Sequence, residues 1–258
     1  MELAARALLD QTRPLLLRVI QQSRLLDPPP ANSWLGRVDD RTRPFESSQH
    51  VRVFALVAAD NLQQVERTLR RGLPPFALYS LIRSAVEASS LGLWILDARD
   101  EQLAASRMLR IYRQHIASDR SLHSTFSSSS SPVHDRLHQE AQRLHGELPG
   151  IRGSDFERAV KSTDVIRVVD SIHSLDGDPM HQPVSGLGVW RATSSITHAN
   201  SISIAGLLER HPDGILGDAA TRTSSLSVVA SFYATACSRA STLITLFRLR
   251  SQLRRAGR

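Results

Sequence analysis

The stretch FALYSLIRSAVEASSLGLWILD, beginning at Phe76, is apolar around nearly its whole circumference when wound at the helical period. Such a helix is stable in water only when other helices cover it. It therefore predicts a central helix, opened by Pro74 and Pro75, inside a bundle. The rest of the chain reads as the cover. Residues 2 to 26 are amphipathic and end at Asp27-Pro28-Pro29-Pro30, because proline lacks the amide donor and disfavours helix in the residue before it. From about Ser48, apolar residues recur at Val51, Phe54, Val57, Ala58, Leu62, Val65 and Leu69, and Gly72 supplies a stop.

Further helices are predicted from about Glu101 to Ser118, near 133 to 147, and near 162 to 174. Another is opened by Ser154-Asp155-Phe156-Glu157, which has capping-box spacing. Two final helices, about 185 to 209 and 218 to 253, flank the turn His211-Pro212-Asp213-Gly214. The five-serine tract in SLHSTFSSSSSP has little to bury and reads as a mobile loop. No segment shows strand-like alternation, and no repeat of fixed period appears. The expected fold is all-α, a bundle of about eight helices in one domain over 1–258, with loops near 27–46, 120–132 and 175–185.

At 258 residues the chain can bury about three quarters of its unfolded surface, which suits one compact domain. Cys237 is the sole cysteine, so neither an intramolecular disulfide nor a cysteine-based zinc site can form, and a reducing cytoplasm fits. The N-terminal run carries Glu2, Arg6 and Asp10 inside its apolar pattern, unlike a signal peptide. The longest apolar stretch, from Leu226, has Arg239 near its middle and many Ser and Thr, and reads as a long core helix, not a membrane span. Lys161 is the only lysine, so arginine supplies 31 of the 32 basic residues, and the net charge is +7. An excess of that sign points toward an acidic partner such as RNA or an anionic surface.

Three constellations carry chemistry. The first is Arg191 with His198 in VWRATSSITHANSISIAG, about two turns apart on one predicted helix and so on nearly one face, with Ser194, Ser195, Thr197 and Asn200 around them. RNA cleavage can use the 2′-hydroxyl as internal nucleophile. It then needs only a proton-transfer group, which histidine provides near neutral pH, and a fixed cation for the phosphorane. The spacing alone is uninformative, since Arg43 to His50, Arg110 to His115 and Arg167 to His173 match it as well as Arg191 to His198, about the number that chance gives. A core histidine bonded to a neighbouring helix, and an arginine in a surface or structural ion pair, are the competing readings.

The second constellation is Arg83 with Glu87, four residues apart on the central helix, in a stripe that continues through Ser90 to Trp94. Such a pair either docks a neighbouring helix or lines a polar pocket, which Arg107 or Arg110 of the next helix, and His198, would complete. The third is histidine density: His115, His123, His134, His138 and His145 lie within 31 residues. His134 and His138 have i, i+4 spacing, and Glu140 or Glu147 would complete a metal shell, although a solvated polar helix predicts the same residues. The basic end FRLRSQLRRAGR, with Arg248, Arg250, Arg254, Arg255 and Arg258, suits phosphate contacts or a solvated helix end equally. Nucleotide-binding glycine loops, a GxSxG elbow and HExxH are all missing from the sequence, and no cofactor or metal is expected.

An arginine followed after four to six residues by histidine resembles the signature of the HEPN superfamily, helical proteins that often dimerise and include metal-independent ribonucleases. RSAVEASSLGLWILD, the arginines at 107, 110 and 113, and WRATSSITHA together resemble a group of uncharacterised bacterial all-helical proteins related to that fold, over roughly 75 to 205. The chain departs from the ribonuclease pattern at Ala192, where those enzymes commonly place Asn, Asp or His. The resemblance implies an RNA-binding protein or metal-independent endoribonuclease, possible in a toxin or phage-defence setting, with Arg191 and His198 catalytic. Arg83, Glu87, Arg107, Arg110 and Ser195 would be on the substrate side. It also implies a homodimer that juxtaposes two such helices. The alternative is a non-catalytic helical protein that binds a protein or small ligand.

Overall fold

The computed structural model describes residues 2–72, 76–126, 132–173, 184–202, 204, 208–210 and 222–253. Nine α-helices have described bounds: α1 (Glu2–Arg24), α2 (Trp34–Thr42), α3 (Ser47–Leu69), α4 (Ala77–Leu96), α5 (Glu101–Phe126), α6 (Pro132–Gly146), α7 (Ser162–Ile172), α8 (Gly186–Thr197) and α9 (Leu226–Gln252). The chain is all-α in class, as its periodicity predicts. Among the described residues no helix is long and apolar enough to cross a membrane.

Helix α4 is the centre, and α3, α5, α7, α8 and α9 all pack against it. Leu78, Ile82, Val86, Leu93, Ile95 and Leu96 are fully buried on several of its sides, which is why its sequence lacks a polar face. At Gly92 a Cβ would lie 2.6 Å from Leu243 Cδ1, so the missing side chain lets α9 close onto α4. The C-terminal carbonyls of α4 are capped by arginines from other helices. Arg250 donates to Leu96 O at 2.9 Å and Ala98 O at 3.2 Å, and Arg107 donates to Trp94 O. Cations are favoured there by the unpaired carbonyls of a helix end.

Five sequence expectations change. The loop at 27–46 contains α2, where Ser33 Oγ accepts the Gly36 amide at 3.0 Å and Trp34, Leu35 and Val38 turn inward. Helix α5 runs on to Phe126, so the first part of the serine-rich segment is helical; residues 127–131 lie outside the described residues. The capping-box segment forms only a single 3₁₀ turn, Gly153–Asp155. The Glu157 side chain and carbonyl accept instead from Arg113 of α5, at 3.3 and 3.0 Å.

The expected helix over 185 to 209 stops at Thr197. Ala199 takes φ 54°, while its amide donates to Ile196 O and that of Asn200 to Ser195 O, both at 2.9 Å. That is a Schellman closure built without the usual glycine. Beyond it, β1 (Leu208–Arg210) pairs antiparallel with β2 (Arg222–Ser224), with Glu209 opposite Thr223, and α9 starts only at Leu226. Strands of three residues are too short to show alternation in a sequence. The expected turn at 211–214 and most of the expected loop near 175–185 lie outside the described residues.

Candidate functional site

Helix α8 lies across α4, and the polar groups between them meet around Glu87. Trp190 Nε1 donates to Glu87 Oε2 at 3.3 Å, Ser162 at the start of α7 donates to Glu87 Oε1, and Arg83 stands 3.9 Å from the same carboxylate. The Arg83 guanidinium also rests 5.2 Å from the centre of the Trp190 ring. One carboxylate thus joins α4, α7 and α8. Nearer the start of α4, Ser80 and Thr197 hydroxyls lie 3.3 Å apart, so α8 runs antiparallel to α4.

Arg191 and His198 point away from that seam. Both are exposed, and among the described residues neither side chain forms a hydrogen bond or ion pair. His198 is the C-cap of α8, its backbone amide donating to Ser194 O at 3.0 Å. Ser195 is half-buried one turn before the helix end, and its carbonyl accepts the Asn200 amide.

Arg107 and Arg110 stand elsewhere, against the far end of α4. They flank Trp94, at 4.9 and 5.6 Å from its ring centre, and Arg110 donates to Arg158 O at 3.1 and 3.3 Å. Burial pushes the Arg107 guanidinium down to about 10, against the opposing pull of Asp97, so it stays charged at neutral pH. Arg113 lies 5.7 Å from the Phe156 ring centre. These arginines pin the 150–158 segment and the C-terminus of α4; they are not brought to the Glu87 cluster.

The histidines do not converge. His134 bonds Asp119 Oδ2 at 2.7 Å, whereas His138 stacks toward Phe156 with ring centres 5.8 Å apart. Although both lie on α6, each is held by a different neighbour, and among the described residues no group of three or more His, Cys, Asp or Glu could hold a metal ion. His145 is buried against Ser106, Nε2 to Oγ 2.8 Å, under Phe156, with its pKa lowered by burial and by Arg110 while Asp155 opposes. His50 of α3 bonds the Tyr112 hydroxyl at 2.6 Å, with the His115 ring 5.6 Å away. Of the basic C-terminus, Arg250 caps α4, and Arg254, Arg255 and Arg258 lie outside the described residues.

Sequence reasoning passed over a buried ionic site between two helices. Arg239 of α9 pairs with Asp170 of α7 and donates to Ser90 Oγ at 2.8 Å. The signal was present as an arginine inside an apolar helix, but its partner, 69 positions earlier, carries no spacing to mark it.

Searches against protein-family models, curated proteins and solved structures return no match to this chain.

Proposed function

We propose that this chain binds RNA across the exposed face of α8, and that Arg191 and His198 meet the phosphate backbone there in the manner of a HEPN-like, metal-independent ribonuclease. The observation that carries the reading is the contrast between these two residues and the other candidates. Arg83, Glu87, Arg107 and Arg110 are each engaged by a tryptophan ring, a backbone carbonyl or a carboxylate of the protein itself. Arg191 and His198 sit seven positions apart on one helical face, exposed and without a partner among the described residues. An uncommitted guanidinium and imidazole in a chain of net charge +7 suit a phosphate backbone. In the cleavage step His198 takes the 2′-hydroxyl proton, the 2′-oxygen bonds phosphorus, and the 5′-oxygen leaves with a proton from water. The products are a cyclic phosphate and a free 5′-hydroxyl, and Arg191 offsets the added charge at phosphorus.

The test is cleavage of mixed-sequence RNA in EDTA, beside anisotropy binding over a salt series, with wild type, Arg191→Ala and His198→Ala. Cleavage lost in both folded variants, with binding that weakens as salt rises, is the expected outcome. Folded wild type that neither binds nor cleaves RNA at low salt overturns the reading. A second reading, a non-catalytic interaction protein, is favoured by one observation: Phe126 is 83% exposed at the end of α5, with Leu122 exposed one turn before it.

A further inference from the structure

We infer that α3 carries a self-complementary surface on which a second copy of this chain docks antiparallel, about a two-fold axis near Leu56. Helix α3 has 23 residues, and its inner side is fully engaged: Val51, Ala58, Leu62 and Val65 are fully buried. On its outer side, Val53, Leu56 and Val57 remain 41%, 42% and 40% exposed. Their spacing of three and one puts them together on the surface as one apolar patch midway along the helix. Polar residues flank the patch at both ends, with Gln49 and Arg52 before it and Asp60 and Gln64 after it.

The flanking charges identify the occupant. Arg52 bonds only Gln49, at 2.9 Å, and among the described residues neither Arg52 nor the exposed Asp60 forms an ion pair. They lie four positions before and four positions after Leu56. Two antiparallel copies crossing at Leu56 therefore bring Arg52 of each chain toward Asp60 of the other, so two ion pairs form and the apolar patches cover one another. An isologous interface has this property: the same patch serves both partners, and its charges must be complementary under the two-fold. A parallel arrangement would set Arg52 against Arg52 and Asp60 against Asp60. A helix of 23 residues is about 34 Å long, so the Arg52 and Asp60 positions fall well within its span. With only three apolar residues at its centre, the association is weak and concentration-dependent. This contact differs from the pairing of α8 helices that the resemblance implies, and it does not rest on RNA binding, since α8 packs on α4, α7 and α9.

The experiment is sedimentation velocity at low and high micromolar concentration on wild type, Arg52→Asp, Asp60→Arg and the double reversal Arg52→Asp/Asp60→Arg, each checked by thermal melting. The expected result is a wild-type dimer, a dissociation constant weakened at least about tenfold in each single variant, and recovery in the double reversal, where the pairs are re-formed with opposite sense. A wild type that stays monomeric at high micromolar concentration overturns the inference. So does a dimer insensitive to the single reversals, or one that the double reversal fails to restore. In the insensitive case, loss of the dimer on Leu122→Ser/Phe126→Ser would assign the contact to the end of α5.

Discussion

Asp170 of α7 joins Arg239 of α9 to the start of α8. One side of its carboxylate pairs with the Arg239 guanidinium, while its two oxygens accept the Gly186 and Leu187 amides at 3.1 and 2.9 Å. The first-turn amides of α8 have no partners within the helix, so Asp170 satisfies two of them and its charge suits the helix N-terminus. Ser90 of α4 accepts from the other arm of Arg239. The start of the helix that carries Arg191 and His198 is thereby anchored by a charge network.

Breaking that network by removing one partner leaves the other charged and largely buried. Arg239→Met and Asp170→Ala are each expected to lower unfolding free energy by about 3 kcal/mol, read from the urea midpoint at unchanged slope. The double variant should lose less than the sum, because neither charge is left stranded. Gly186→Ala should destabilise through the same site, since a Cβ there would run into the Arg239 guanidinium, which its buried partners hold in place. Additive losses in the double variant would show that the two groups do not act together.

The His50–Tyr112 bond makes stability depend on pH. Burial, with a smaller push from His115, lowers His50 to about 4, so the folded chain holds the neutral ring. The unfolded chain takes up its proton near 6.5, which means this contribution is full above pH 6.5 and is lost as pH falls toward 4. Thermal melts of wild type and His50→Gln between pH 7.5 and about 4 should converge as the pH drops, by on the order of 2 kcal/mol. Parallel melting curves would remove His50 as the source.

How much of this was legible in the sequence depends on whether a feature is local. Helix α4 announced itself because a helix buried on several sides cannot hide its composition, and α1 and α3 followed from period and from the prolines and glycine at their ends, whereas α9 was legible in its body but not at its start, which lies at Leu226 and not near 218. The end of α8 did not, because Ala199 does what Gly usually does. Helix α2 was missed because nine residues give too little period to stand out from a polar loop. Arg83 with Glu87 was visible as a pair, but Trp190 and Ser162, which decide that it is a seam, sit 103 and 75 positions from Glu87. Arg107 and Arg110 read as pocket residues because sequence spacing cannot tell a guanidinium that caps a helix from one that awaits a ligand.

Gly36 tests α2 directly. A Cβ at this position would run into the carbonyl oxygen of Pro30 and the backbone of Ala31, neither of which can swing aside as a side chain could. Gly36→Ala is expected to cost at least about 2 kcal/mol despite alanine's better helix propensity, because the clash outweighs a gain of about 1 kcal/mol. Urea denaturation checks it, and an unchanged or raised midpoint would show that the Pro28–Pro30 segment gives way.

Glu87 and the pair on α8 separate stability from binding. Glu87 accepts from both Trp190 and Ser162 and faces Arg83, so Glu87→Ala leaves an indole N–H and a hydroxyl without their acceptor, removes the charge beside Arg83, and loosens α7 and α8 from α4 together. A loss of about 2 kcal/mol is expected from the two broken charge-assisted bonds. Arg191→Ala and His198→Ala remove exposed groups without partners among the described residues, so their melting temperatures should stay close to wild type, within about 0.5 kcal/mol in stability. If Arg191 and His198 serve RNA, their variants weaken binding while melting normally. Glu87→Ala, by contrast, should melt early and lose binding only as far as it unfolds. An Arg191→Ala protein as destabilised as Glu87→Ala would make Arg191 part of the scaffold, and the RNA reading would lose its cation.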